Sequence, residues 1–260
     1  MSVIENILKA KEMATLPDVA NRVLKMLESD DIDLRNISKV IEADPALTIK
    51  LLRVANSPLY AAKAEIRSIQ QAIMIMGFSK LTNIVLGVSI FSKFWLGQKK
   101  EAANIMNKFW WHSSSAGTIA KSITAKMKKN YRENEFVGGL LHKIGKLALL
   151  QYDVTKFNQT ISLITEKNIS DVDAEKQVFG VDHIEVGDQI AKSWKLPDDI
   201  RAIIANYPHP SKLTNHKELV AAVSFAGLLC EINGADFYKG LVPEDITDDE
   251  SWEILIDSVD

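Results

Sequence analysis

The chain has 260 residues, enough for one large domain or two small ones, and its 47% apolar and 25% charged content is that of a globular protein, not a disordered one. A formal net charge of −3 gives no general reason to expect nucleic acid. Cys230, the single cysteine, cannot close an internal disulfide and has no neighbouring cysteines for a zinc pattern, so it reads as a small core residue in a reducing, cytoplasmic setting.

The N-terminal MSVIENILKAKEM sets Glu5 and Lys9 where a signal peptide needs its apolar core, so secretion is not expected. Thr15-Leu16-Pro17 places a proline near a first helical position, and Val19, Ala20, Val23, Leu24 and Leu27 follow at helical spacing. ESDDID interrupts that pattern before a short helix over about 34–43. Asp44 then reads as an N-cap with Pro45 in the first turn, and Leu47, Leu51, Val54 and Ala55 form one face of the helix they start. Asn56-Ser57-Pro58 stops it, because a residue before proline is pushed out of the helical region. Ser68 with Gln71 is a capping-box pattern, and Gly77 suits the end of that helix.

An apolar helix is predicted over 79–94. Its richest run, IVLGVSIF, is far shorter than the roughly 20 residues that span a bilayer, so no membrane segment is expected. Further helices are predicted over 104–129, 134–152, 155–167, 171–179, 183–195, 198–206 and 216–232. No stretch alternates in the way a strand demands, so the fold class is all-α. A short polar link, LGQKKEAAN, separates an N-terminal helical lobe (about 1–100) from a second lobe (about 104–232), and favours packed lobes over independent modules. Residues 241–260 carry eight acidic side chains and no Lys or Arg, leaving the rest of the chain at +5. The segment 233–260 therefore reads as an acidic, solvated tail.

All five histidines, His112, His142, His183, His209 and His216, fall in the second lobe. A divalent metal needs three or more nitrogen or carboxylate ligands on one point, and no pair here has the i, i+4 spacing of a helical clamp. Taken singly, each reads as a satisfied, partly buried side chain.

FWWHSSSAGTIA, FVGGLLHKIGKLAL and VDHIEVGDQIAKSWKLPDDI, in that order, resemble the HD phosphohydrolase scaffold, and the last is similar to a segment of its cyclic-di-GMP phosphodiesterase branch. LPDVANRVLKMLES, VIEADPALTIKLLRVANSPLY and IRSIQQAIMIMGFSKLTNIVLG narrow the match. Together these strings resemble the HDOD domain, a divergent HD-related output module of bacterial signalling proteins, over about residues 14–228. The resemblance implies an HD-like multi-helical domain with the N-terminal lobe packed on it, and marks Asp44, Pro45, Asn56, Ser57, Trp194 and Pro197 as signature structural positions.

In catalytic relatives a histidine corresponding to His112, a His-Asp pair corresponding to His142-Lys143, a histidine matching His183 and a later His-His pair serve the metal centre. This chain departs at each decisive point. Lys143 stands for the bridging aspartate, Asn206-Tyr207-Pro208-His209 keeps at most one histidine of the later pair, and Phe225 falls at or near the place of a helix aspartate. An ammonium has three donors and no lone pair. At about 4 kcal/mol per unit-charge pair at close range, it would oppose a divalent ion by up to roughly 8 kcal/mol. The expectation is an emptied centre with no metal, cofactor or catalytic residue.

Lys143 reads either as a solvent-facing lysine at the mouth of a filled cleft, or as part of a polar pocket with His112, His142 and His183 that could hold a small anion or nucleotide. Gly138, Gly139 and Gly145 would allow the close helix approach such a pocket needs. The function implied is a non-catalytic, cytoplasmic bacterial signal-transduction output module that contacts another signalling protein in trans. The alternative is a residual metal-dependent phosphohydrolase acting on nucleotides or cyclic dinucleotides. Nucleic-acid binding through KSITAKMKKNYR (Lys121, Lys126, Lys128, Lys129, Arg132) is weaker, since a lysine-rich helix end usually complements the helix dipole.

Overall fold

The computed structural model describes residues 2–10, 17–27, 34–56, 65–95, 100–131, 133–235, 243 and 245–258, and these contain helices and no strand. The chain divides into two compact units, Leu16–Lys93 and a main unit of Met1–Thr15 with Phe94–Asp260.

The first helix of the main unit, α1 (Val3–Lys9), has a capping box in which Ser2 and Glu5 exchange bonds. It packs on elements of the main unit, whereas the sequence reading placed these residues in the N-terminal lobe.

The N-terminal unit holds α2 (Asp18–Leu27), α3 (Leu34–Glu42), α4 (Pro45–Ala55), α5 (Ile69–Met76) and most of α6 (Phe78–Trp95). Asp44 caps α4 by accepting from the Leu47 N–H at 3.0 Å, and Leu47, Leu51 and Ala55 are buried along one face. The Val54 side chain, Ser57 and Pro58, like Thr15 and Leu16, lie outside the described residues. Asn56 follows α4 and does more than end it. Its Nδ2 donates to the carbonyls of Leu52 and Ile66, both at 2.8 Å, and its Oδ1 accepts from the Ile66 N–H at 2.8 Å. Ser68 caps α5 by accepting from Gln71 N–H, but the returning Gln71 bond goes to the N–H of Arg67 instead of Ser68. Gly77 ends α5 at φ +84°, a conformation open to glycine.

The main unit continues with α7 (Lys100–Lys126), α8 (Asn134–Leu141), α9 (Ile144–Tyr152), α10 (Val154–Lys167), α11 (Asp171–Phe179), α12 (His183–Ser193), α13 (Asp198–Asn206), α14 (Lys217–Ile232) and α15 (Glu250–Asp257). The helix expected over 134–152 is two helices. Lys143, at φ −104° and ψ 22°, breaks the ladder between α8 and α9. Apolar spacing runs unbroken across that turn, so periodicity does not register it. Trp194 ends α12, with its N–H on the Ile190 carbonyl at 2.9 Å, and Pro197 precedes α13.

Close backbone approaches hold the layers together. A Cβ on Gly139 (α8) would lie 2.4 Å from the Gly117 Cα (α7), and one on Gly145 (α9) would lie 1.8 Å from the His183 carbonyl oxygen. The acidic tail is not simply solvated. Its residues 250–257 form α15, which packs on α14 and buries Ser251 and Leu255.

Candidate functional site

Two helix ends and the middle of α7 bring His112, His142 and His183 into one buried region of the main unit, all at 1% exposure or less. His112 sits mid-α7. His142 closes α8, with its N–H on the Gly138 carbonyl at 2.8 Å. His183 opens α12 behind the Asp182 cap.

The proton geometry of the first two rings is constrained. Nδ1 of His112 faces the Ala235 carbonyl at 2.9 Å, Nδ1 of His142 faces the Gly139 carbonyl at 2.7 Å, and the two Nε2 atoms face each other at 3.3 Å. Carbonyl oxygens only accept, so both Nδ1 atoms donate. A hydrogen bond across the Nε2 pair then requires one ring to carry both protons. Burial, followed by the nearby Lys143 charge, pushes His112 well below the ordinary imidazole range, against a smaller opposing effect of the Ala235 carbonyl.

His183 is held from both sides. Glu175 Oε2 accepts from its backbone N–H at 2.8 Å and its Nδ1 at 2.5 Å, while its Nε2 meets the Tyr207 hydroxyl at 2.5 Å. Both members of the His183–Glu175 pair are buried. The Tyr207 ring stands edge-on to His142 at 5.0 Å between centroids. Tyr207 thus lies between His142 and His183, in the string where catalytic relatives carry their later histidines.

Lys143 is not solvent-facing. It is 3% exposed, and its Nζ donates to Glu231 at the end of α14. One turn further along α9, the fully buried Lys146 donates to Asp171 at the start of α11. Burial alone would raise the Asp171 carboxyl, but Lys146, with His183 and Lys143 behind it, holds it well below the ordinary carboxylate range. Both lysines thus face carboxylates.

The α14 position facing His142 is Gly227, where a Cβ would lie 3.2 Å from Nε2. Phe225, expected near that place, turns instead to Trp252 of α15 at 5.5 Å between ring centroids. Among the described residues, no group of three or more His, Cys, Asp or Glu side chains could hold a metal ion. His209 and His216 stay outside the cluster, His209 beside Glu250 and His216 exposed ahead of α14.

Glu175, Lys146, Asp171 and Glu231 were not singled out by sequence. The available signal was charge on otherwise apolar helix faces, above all Lys146 within IGKLALL. The basic stretch at the end of α7 is neutralised in part. Lys121 pairs with Glu133, and Lys129 lies 3.0 Å from Glu218, while Arg132 falls outside the described residues. Among the described residues, no helix is long and apolar enough to cross a membrane.

Comparison with known proteins agrees with this architecture. An HDOD domain protein of unknown function from Geobacter sulfurreducens superposes with TM-score 0.83 at 27% identity, over 99% of this chain and 87% of that one. A Shewanella amazonensis protein named as a phosphohydrolase gives TM-score 0.70 at 21% identity over 98% and 86% of the two chains. A Marinobacter aquaeolei protein named for signal transduction gives 0.71 at 21%, over 94% and 56%. An uncharacterised protein of Treponema pallidum is 23% identical over 222 residues, which is 84% of this chain but 42% of that relative's length. The HDOD domain signature matches residues 13–210, and the chain belongs to the HDOD domain family.

Proposed function

We propose that the chain is a non-catalytic signal-transduction module that acts through contacts with another signalling protein, and that its former metal centre has become a polar core. One observation carries this reading. The groups that would serve catalysis are buried and engaged with one another: His183 between Glu175 and Tyr207, Lys143 on Glu231, and His142 against His112. A hydrolytic centre must admit substrate and keep ligand positions open, whereas His112, His142, Lys143 and His183 are all at 3% exposure or less. Family membership supports a signalling role, while at 21% identity the Marinobacter relative and the phosphohydrolase-named one speak for fold alone.

The test is direct. The purified chain, incubated with cyclic dinucleotides and nucleotides in the presence of manganese, iron or zinc, is expected to give no turnover, and it should co-purify with a signalling protein when tagged in its native host. Metal-dependent hydrolysis that is lost in His142→Ala would overturn the reading.

A further inference from the structure

The end of α7 carries more positive charge than the fold answers. Met127 is buried in one apolar cluster with Ala221 and Ala222, and Lys129 lies 3.0 Å from Glu218, so this end is pinned beside the start of α14. The half-buried Tyr131 donates its hydroxyl to the same Glu218 at 3.3 Å. Glu218 therefore serves two groups already. Lys126 and Lys128 are exposed and Lys217, next to Glu218, is half-buried. None of these three lysines has an ion pair among the described residues.

Two of them stand where the local backbone works against a lysine. Lys128 is the left-handed residue, at φ 56°, that closes α7. Its N–H reaches the Ala125 carbonyl at 3.1 Å and the Lys129 N–H reaches the Thr124 carbonyl at 3.0 Å, a paired closure that favours glycine at this position. Lys217 begins α14, and a cation there opposes the helix dipole. Neither helix end explains its lysine.

We propose that Lys126, Lys128, Lys129 and Lys217 form a docking surface for a short, carboxylate-rich segment of a partner protein. That the partner is a protein rests on the signalling role proposed above. That its acidic segment is short follows from α15, which packs on the same α14 and carries Glu250 and Glu253 in its first turn. Charges act over about 10 Å in ordinary salt, so a long polyanion crossing the patch meets that acidic helix, whereas a short segment does not.

Fluorescence anisotropy of the full chain with a labelled oligopeptide of alternating Asp and Glu tests this. The parent should bind the peptide, and more weakly as salt rises. Lys128→Gly combined with Lys217→Gln should weaken binding about tenfold. The urea midpoint of that variant should stay at or above the parent's, because glycine suits the turn better. Lys25→Gln combined with Lys167→Gln removes the same charge from exposed sites elsewhere and should leave binding unchanged. No binding by the parent, or equal weakening in both variants, would overturn the surface. Tighter binding of a single-stranded DNA of similar length, or of phosphatidylserine vesicles, would overturn the choice of partner. None of these readouts depends on nucleotide hydrolysis, so the surface and the non-catalytic reading fail separately.

Discussion

The centre around His142 and the seam beneath α15 lie in the same unit, and both bury polar groups among apolar helices. In the centre the buried charges are matched: Glu175 accepts twice from His183, Lys146 reaches Asp171, and Lys143 reaches Glu231. At the seam, Ser251 and Glu250 each bury an atom with no hydrogen-bond partner. Matched burial makes removal of either partner costly, which fixes one arrangement. Unmatched burial subtracts from stability and fixes nothing in return.

Breaking the centre should give the largest effects. Glu175→Ala leaves His183 buried without its carboxylate and should cost about 3–5 kcal/mol in urea unfolding. Gly145→Ala forces a Cβ onto the His183 carbonyl and should cost about 3 kcal/mol, because two backbones must part.

Asp171→Asn should cost about 2 kcal/mol at neutral pH, less than a fully buried pair because the Asp171 side chain is 30% exposed. The folded Asp171 carboxyl titrates below its unfolded value of about 3.9. Its stabilisation is therefore present above that pH and drains away as pH falls through the lower folded value. The gap between parent and variant should close in acid, as read from urea midpoints at a series of pH values.

The N-terminal unit supplies a matched group without charge. Asn56→Ala removes both donations and strands the buried Ile66 N–H, and should cost about 1–2 kcal/mol. The smallest effect sharpens the comparison from the unmatched side. Glu135 of α8 is buried with Oε2 unpartnered, and burial, with the nearby Glu133 and Asp199 charges, raises its carboxyl above the ordinary range. A raised folded value means that native stability falls as pH climbs from about 4.3 through it. Glu135→Gln should therefore stabilise the chain at neutral pH by about 1 kcal/mol and change nothing in acid.

Much of the fold was legible because it is written locally. Asp44-Pro45, Ser68 with Gln71, and Gly77 each announce a helix end through a bond or a dihedral that one or two residues decide. The Ser2–Glu5 box of α1 was equally readable and went unread. In α15, acidity hid the Trp252–Leu255 spacing of an apolar face. The convergence of His112, His142 and His183 came from resemblance, since rings brought together from α7, α8 and α12 leave no trace in spacing. What they converge on was not legible. Tyr207 bonds His183 across 24 positions and Glu231 meets Lys143 across 88, while Gly227, not Phe225, faces His142 because of the rotation of α14.

Asn56 also bears on how fast the N-terminal unit assembles. Its bonds to Ile66 close a loop ten positions long, and loops of that size form in about 10–100 ns. The contact that ties the end of α4 to the approach of α5 is thus among the cheapest in entropy that this unit can make. By loop length alone it can form before any of the more distant helix pairings.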